Sequence, residues 1–468
     1  MSAKKVSRRD FLRLAGLTGG AALLAACGAP ATPEPEVEEE PAEAGEGEAP
    51  EREPVTIAWW NQFSTETCQE MFPQIVEDFE ELYPWVTVDY EISGGPPGGG
   101  EYIEVLLTRI AGGNPPEAAT LWSPPVQFAA QGSLMAIDEY MATAEWAKPD
   151  AFYENPLKSC QWRGKTYGLP SSAGCTAMFV NTEKFEEKGI STAREDFPKT
   201  WDELKALSAE FVVWEDDELK HAGFVPWAAG WTNVLWSGLN GGVLFDEQEE
   251  QYYLNSDQNI EWLNYMVKWL DEQYKGDIEL LNMYGAWGDV YPESAFNMGL
   301  CSMAESGSWA CTDAELPFEW DIYEYPVGPS GGISQTAWWP NWWVVPKGSA
   351  HPYEGFLFVE YLSTKGWETW YTAVMDTPAW KNFSPDIITE KLVDVVGSRE
   401  EAIEIHEFFA QYLDRAVLMW NSPIEDFAAN TLGQAVDEIL HKTKTPQAAL
   451  DESQELCQAK LDELLAEI

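Results

Sequence analysis

The chain is poor in the residues that most enzymes and nucleic-acid binders depend on. Its 468 residues include only 4 histidines, and 28 Lys plus Arg stand against 79 Asp plus Glu, for a net charge of −51. Counterion release needs clustered Lys and Arg, so nucleic acid and anionic lipid surfaces are poor partners for this chain. His221, His351, His406 and His441 each stand alone, and His406-Glu407 has no second histidine four residues on, so the zincin pattern is absent. No Cys-x-x-Cys occurs, which argues against a zinc or iron–sulfur site. Neither a Walker A sequence nor Gly-x-Gly-x-x-Gly after a strand is present. Gly328-Pro329-Ser330-Gly331-Gly332 has the letters of a nucleophile elbow, but Pro326 precedes it and a glycine-rich loop follows, where strand and helix are required. The expected catalytic residues, metals and cofactors are therefore none. Carboxylates are abundant and no two stand out, which leaves a secreted, lipid-anchored glycoside hydrolase as the alternative reading.

Long apolar runs are missing too. Ser7-Arg8-Arg9-Asp10-Phe11-Leu12 leads into a short, glycine-interrupted apolar stretch ending Leu24-Ala25-Ala26-Cys27. That stretch is too short to span a bilayer and reads as a secretory signal. The Arg8-Arg9 segment resembles a twin-arginine export signal, which carries folded proteins. Leu24-Ala25-Ala26-Cys27 resembles a lipobox, whose cysteine is lipidated. Residues 28–54 are almost entirely Ala, Pro, Gly and Glu with Arg52 as the one basic residue. Such a segment buries too little to order itself and reads as a disordered tether. Residues 1–27 are thus an export signal with lipobox, 28–54 an acidic tether, and the folded body starts near Val55, held by lipid on the extracytoplasmic face of the cell membrane.

Six cysteines remain in the body. Cys68 shares a helical stripe with Phe72, Ile75, Phe79 and Leu82, and Cys457 one with Leu461, Leu464 and Ile468, as small buried apolar residues do. Cys160 with Cys175, and Cys301 with Cys311, are close enough in sequence to pair. Folding before export lowers the odds of either bridge.

Strand and helix signals alternate. Val55-Thr56-Ile57-Ala58-Trp59-Trp60 is strand-like, residues 66–82 helical, Trp85-Val86-Thr87-Val88-Asp89-Tyr90 a strand, 93–100 a Gly/Pro loop, 101–110 helical and 118–122 a strand. Strands follow at 166–170 and 177–181. Thr200 caps a helix, and residues 258–274, 400–421 and the stretch from Pro446 have helical spacing. This order implies parallel α/β layers in two lobes.

Aromatics are what the chain has in plenty. Its 24 tryptophans include the doublets Trp59-Trp60, Trp338-Trp339 and Trp342-Trp343, with others in glycine-rich surroundings at Trp227, Trp231 and Trp309. Neighbours on a strand point to opposite faces, so at most one of each doublet enters a given core, and the other is covered by a second layer or meets a ligand. Indoles offer a rigid apolar face and one N–H, which suits the C–H faces and hydroxyl edges of a sugar.

Several motifs, taken in order, resemble the extracellular solute-binding proteins of carbohydrate-uptake ABC transporters, the family of maltose-binding protein. They are Gly113-Asn114-Pro115-Pro116-Glu117, Arg163-Gly164-Lys165-Thr166-Tyr167-Gly168-Leu169-Pro170, Met178-Phe179-Val180-Asn181-Thr182-Glu183-Lys184-Phe185, Phe197-Pro198-Lys199-Thr200-Trp201-Asp202-Glu203-Leu204, Phe296-Asn297-Met298-Gly299 and Pro346-Lys347-Gly348. The resemblance implies an α/β, two-lobed periplasmic-binding-protein fold of type II, with ligand held between the lobes. Its N-terminal lobe would be 55–172 plus 327–376 and its C-terminal lobe 173–326 plus 377–468, with hinge crossings near 171–176, 326–328 and 376–379. It places ligand contacts at Trp60, Asn61, Gln62, Trp122, Ser123 and Trp309, and further ones at Trp231, Trp339, Asn341 and Trp342. Trp339-Pro340-Asn341-Trp342 stands where relatives carry small glycines, a departure that narrows the groove or adds a stacking surface. The implied partners are a carbohydrate and the permease subunits of an ABC transporter, for a monomeric receptor anchored through Cys27.

Overall fold

The computed structural model describes residues 52–92, 95–96, 101–282, 287–384, 386–413, 415–417 and 421–468. The export signal, Cys27, nearly all of the tether and most of the 93–100 loop lie outside them. In chain order the principal elements are β1 (Val55–Trp60), α1 (Glu66–Leu82), β2 (Val86–Tyr90), α2 (Tyr102–Ala111), β3 (Ala118–Leu121), α3 (Pro125–Ala130), β4 (Leu169–Pro170) and β5 (Thr176–Asn181). There follow α4 (Trp201–Ala209), α5 (Asn233–Leu239), α6 (Asp257–Gln273), β6 (Met303–Gly307), β7 (Trp320–Tyr323), β8 (Trp342–Val344) and α7 (Pro352–Leu362). The chain ends with α8 (Arg399–Leu413), α9 (Glu425–Leu440) and α10 (Pro446–Glu467).

The first sheet has the order β2–β1–β3–β8–β4. Helical crossovers make β1 parallel to both β2 and β3, as the alternation predicts. β8 arrives from far along the chain and runs antiparallel to β3 and β4, so the sheet is mixed. Period-2 geometry then sorts the tryptophan doublets. Trp59 and Trp343 share one face, 6.0 Å apart, and join Phe72 of α1 and Phe358 of α7 in a large core. Trp60 and Trp342 point the other way into a smaller cluster, closed by Tyr102 and Leu106 of α2 and Phe128 of α3. Both faces are covered, so these doublets are explained by two layers of packing.

The second sheet, β6–β5–β7, is antiparallel throughout: β6 and β7, close together in the chain, flank β5 from far earlier in the sequence. Ala177, Phe179, Ala304 and Ile322 face the large core that also holds Ile57 and Trp59. Met178, Val180, Met303 and Tyr323 face another, built from Trp201, Trp236, Trp262 and Trp269 together with Leu450, Cys457 and Leu461 of α10. Cys68 and Cys457 are buried on their helices, and all six described cysteines are free and buried. Thr200 does cap α4, in a reciprocal box: Glu203 N–H donates to Thr200 Oγ1 at 3.3 Å, and Thr200 N–H donates to Glu203 Oε2 at 3.0 Å. The helical spacing over 400–421 is realised only to Leu413; Ala416–Val417 instead pairs in parallel with Thr336–Ala337.

Three stretches meet side by side where the two sheets adjoin. Ser172 pairs with Pro378, and Cys175 pairs with Trp338. Trp339 N–H donates to Gly174 O at 2.7 Å, Ser171 N–H to Asn341 O at 2.9 Å, and Ala379 N–H to Ser171 O at 3.0 Å. Residues 326–328, also expected as a crossing, are not part of these three stretches. Val327 N–H donates to Lys199 O and Trp201 N–H to Val327 O, which fastens that segment to the start of α4.

Candidate ligand site

Three segments bring indoles together. Trp309 follows β6, Trp231 sits in the turn before α5, and Trp339 lies on the ribbon beside Gly174. Ring centroids are 4.6 Å apart at 76° for Trp231–Trp339 and 6.3 Å apart at 40° for Trp231–Trp309. All three side chains are half-buried. Two glycines make this approach possible. A Cβ at Gly307 would overlap the Trp309 ring, and one at Gly174 would stand 3.1 Å from Trp309 Cζ3. Neither has a left-handed φ, so it is the missing side chain that matters there.

Carboxyl groups fasten the cluster from behind. Trp231 Nε1 donates to Asp289 Oδ2 at 3.1 Å, and Ser306 Oγ donates to Asp289 Oδ1 at 3.0 Å. Glu305, next to Ser306 on β6, is fully buried and bonded to Thr232 and Trp236. Burial pushes its carboxyl up to about 8, against the pull of those hydrogen bonds. At the ribbon, Asp376 is also buried, and desolvation lifts it to about 8 against a hydrogen bond from Ser172. Asn341 Nδ2 donates to Asp376 Oδ2 at 3.4 Å, while Oδ1 has no hydrogen-bond partner and faces Gly174.

Opposite Trp309 stands the start of α1. A cavity of about 700 Å³ runs between Thr65, Glu66 and Glu70 on one side and Asp289, Trp309 and Asp313 on the other. The chain after β1 and after β3 forms the neighbouring wall, where Phe63 meets Trp122 edge-on at 6.0 Å and Trp122 remains 51% exposed. Ser123 Oγ and Gln127 Nε2 each donate to Asp426 at 2.7 Å, and Asp426 N–H donates back to Gln127 Oε1 at 3.2 Å. Asp426 is in the first turn of α9, some 300 residues along, so this contact ties the two halves of the structure. A groove of equal volume around Arg194, Trp320 and Glu404 contains none of the expected residues, and its Arg194 is already paired with Asp321 at 2.5 Å.

Trp231, Trp309, Trp339 and Asn341 are thus gathered at one place, and Trp122 and Ser123 stand on the wall with Phe63. Trp60 and Trp342 are not with them. They are 6% and 4% exposed inside the smaller core, and Trp342 Nε1 donates to Ser159 Oγ at 2.7 Å. Their neighbours on the strands, Trp59 and Trp343, fill the opposite face, so the alternation that made the doublets suspicious accounts for both members. Asn61 is buried, with Nδ2 donating to Glu91 O at 2.8 Å and Oδ1 unpaired; the Gln62 Oε1 atom is likewise buried and unpaired. Among the described residues, no group of three or more His, Cys, Asp or Glu is placed to hold a metal ion.

The family described as Bacterial extracellular solute-binding protein matches residues 65–369. The chain belongs to this family. Solute-binding proteins with solved structures share its fold over most of their length. A mannotriose-bound protein, CpMnBP1, superposes with a TM-score of 0.71 at 19% identity, covering 86% of this chain and 99% of that one. A substrate-binding protein from Listeria monocytogenes, in complex with cycloalternan, gives a TM-score of 0.71 at 20% identity over 88% and 100% of the two chains. In sequence, a binding protein of Brucella abortus (strain 2308) is 31% identical over 142 residues, 30% of this chain and 31% of that protein, so the match spans about a third of that relative's length. The multiple sugar-binding protein of Streptococcus mutans is 24% identical over 66% of this chain and 71% of its own. No helix among the described residues of this solute-binding protein is long and apolar enough to cross a membrane.

Asp289, Glu305, Asp313 and Asp426 escaped sequence reading, and Asp376 was picked out only as part of a hinge crossing. With 79 acidic residues in the chain, a carboxylate carries no signal by itself. Only Ser306-Gly307-Ser308-Trp309, a small-residue run before an indole, hints that β6 ends at something requiring close approach.

Proposed function

We propose that this solute-binding protein is the receptor of a carbohydrate-uptake ABC transporter, taking an oligosaccharide between two lobes and delivering it to the permease subunits without chemical change. The observation that carries the reading is the gathering of Trp231, Trp309 and Trp339 at the edge of a cavity walled by Asp289, Asp313 and the start of α1. Indole faces stack on sugar C–H faces while carboxylates and amides accept hydroxyl protons, and an analogue that leaves one such group unpaired is rejected. The names of relatives and structural neighbours point the same way: a multiple sugar-binding protein, and proteins holding mannotriose and cycloalternan.

The lobes close about the ribbon of residues 171–175, 338–341 and 376–379, which moves the second boundary from 327 to about 338. Closure over both sugar faces supports micromolar to nanomolar binding, about 8 to 12 kcal/mol. The protein acts as a monomer, exported by its twin-arginine signal and held at the extracytoplasmic face by lipid on Cys27. A panel of mannose-, glucose- and galactose-based oligosaccharides, screened by ligand-induced melting shifts with analysis of the recovered sugar, tests the reading. A shift with intact sugar is expected. No shift across the panel, or recovery of cleaved sugar, refutes it.

A further inference from the structure

The turn that presents Trp231 has a proton-counting problem. Thr232 Oγ1 lies 2.6 Å from Ala229 O and 2.7 Å from Glu305 Oε1, and it is oriented to donate to each. A hydroxyl has one proton, a backbone carbonyl has none, and an ionised carboxylate has none. Both short contacts are hydrogen bonds only if Glu305 itself carries a proton on Oε1. The chain then runs Glu305 Oε1–H to Thr232 Oγ1, and Thr232 Oγ1–H to Ala229 O. Trp236 Nε1 donates mainly to the other oxygen, Oε2, at 3.0 Å, and also lies 3.2 Å from Oε1. Every polar atom in the set is then satisfied.

The surroundings favour the neutral acid. Glu305 is 0% exposed, and its partners Thr232, Trp236 and Tyr325 are uncharged. The titratable groups facing it are Asp289, from the segment before β6, and the Tyr325 phenol; β5 and α5 present Met178 and Trp236. Asp289 is a like charge, so it opposes ionisation, and burial raises the Glu305 carboxyl to about 8.

We infer that Glu305 is a positioning residue for ligand binding: as a neutral acid it locks the Ala229–Thr232 turn and so fixes the Trp231 indole at the cleft. Its backbone contributes as well, since Glu305 N–H donates to Gly288 O at 3.0 Å, beside the Asp289 that holds the Trp231 indole N–H. One acid therefore braces Trp231 from both of its attachments. Ionisation at alkaline pH takes the Thr232 hydroxyl proton for the carboxylate, leaves Ala229 O with only the Thr232 N–H at 2.9 Å, and so loosens the turn. The consequence for affinity rests on the carbohydrate-receptor reading of Trp231; the proton on Glu305 does not.

Hydrogen exchange of the segment around residues 229–232 in the full chain, corrected for intrinsic rates and followed from pH 6 to 9.5, tests this in wild type, Glu305→Gln and Glu305→Ala. Glutamine keeps one donor and one acceptor and does not ionise. The wild type should hold its protection to about pH 7.5 and then lose it roughly fivefold to tenfold, the size of one lost hydrogen bond. The Gln variant should stay flat at the wild-type neutral level, and the Ala variant, which loses the carboxyl contacts to Thr232 and Trp236, should be flat with pH at a lower level. Wild-type protection that is flat to pH 9.5, or a Gln variant that behaves like Ala while circular dichroism shows it folded, overturns the inference. Titration calorimetry with mannotriose and maltotriose adds the functional arm, where affinity should fall above pH 8 in wild type and not in Glu305→Gln. If neither these nor any other sugar binds, the receptor reading fails, and the exchange profile still decides the state of Glu305.

Discussion

Gly307→Ala removes no group that touches a ligand, yet it should damage binding as much as deleting an indole. A methyl at this position overlaps the six-membered ring of Trp309, and the overlap is with ring carbons two residues along, not with a flexible chain end. The backbone of β6 cannot retreat, because Gly307 is paired with Thr176 of β5 and Ser306 with Ala177. Trp309 must therefore rotate out of its seat. Overpacking of this kind costs about 1 to 3 kcal/mol of stability. Loss of a stacking surface costs binding about 1 to 3 kcal/mol more, or roughly fivefold to a hundredfold in affinity. Gly174→Ala should be milder, since its methyl would stand 2.9 Å from Asp376 Oδ1 and 3.1 Å from Trp309 Cζ3. Chemical denaturation gives the stability change, and calorimetry with the sugar that produces the largest melting shift gives the affinity. Acrylamide quenching reports the displaced indole without any ligand. Wild-type stability, quenching and affinity in Gly307→Ala would refute the seating of Trp309 and the site built on it.

Other expectations separate packing from binding. Trp342→Ala should destabilise the fold by about 3 to 5 kcal/mol and leave the affinity of the folded fraction unchanged, whereas Trp231→Ala should cost affinity with little loss of stability; denaturation and calorimetry on both variants show whether the two roles are reversed. Glu305 and Asp376 are each raised to about 8, so the folded chain retains protons that the unfolded chain releases above about pH 4.5. Their contribution is fully present below the unfolded value and is lost as pH rises through 8, by at most about 1.4 kcal/mol per pH unit for each group. Urea denaturation from pH 5 to 9 should show this fall, and Glu305→Gln with Asp376→Asn should flatten it; an unchanged slope counts against both assignments. Asp426→Ala removes the side-chain bonds from Ser123 and Gln127 but keeps the Asp426 N–H bond to Gln127; the loss is worth about 1 kcal/mol at this exposed position and should shift the unliganded chain toward an open form. A radius of gyration in small-angle scattering that matches wild type would show that the contact does not hold the halves together.

Local elements were legible because their causes are local. The apolar spacing of residues 66–82 produces α1 over Glu66–Leu82, and Thr200 ends the chain's extended run with a cap that Glu203 completes three residues later. β1, β2 and β3 follow from β-branched and aromatic runs set apart by helices. The motif order sufficed for the family. Where reading failed, the cause was long range. The spacing over 400–421 is interrupted because residues 416–417 pair with a strand eighty positions back, and α9 was not anticipated.

What the sequence determined by itself is the two-lobed α/β plan and the presence of more indoles than one core needs, since periodicity, capping and strand alternation act over a few residues. Only the tertiary structure decided which indoles are wall and which are filling. Trp60 and Trp342 are covered because α2 and α3 happen to lie over their face, while Trp339 is left half-open because its stretch of chain joins the ribbon beside Gly174. The same holds for the acids. Burial depends on which layer closes over a side chain, and that distinguishes Glu305 and Asp376 from dozens of chemically identical groups on the surface.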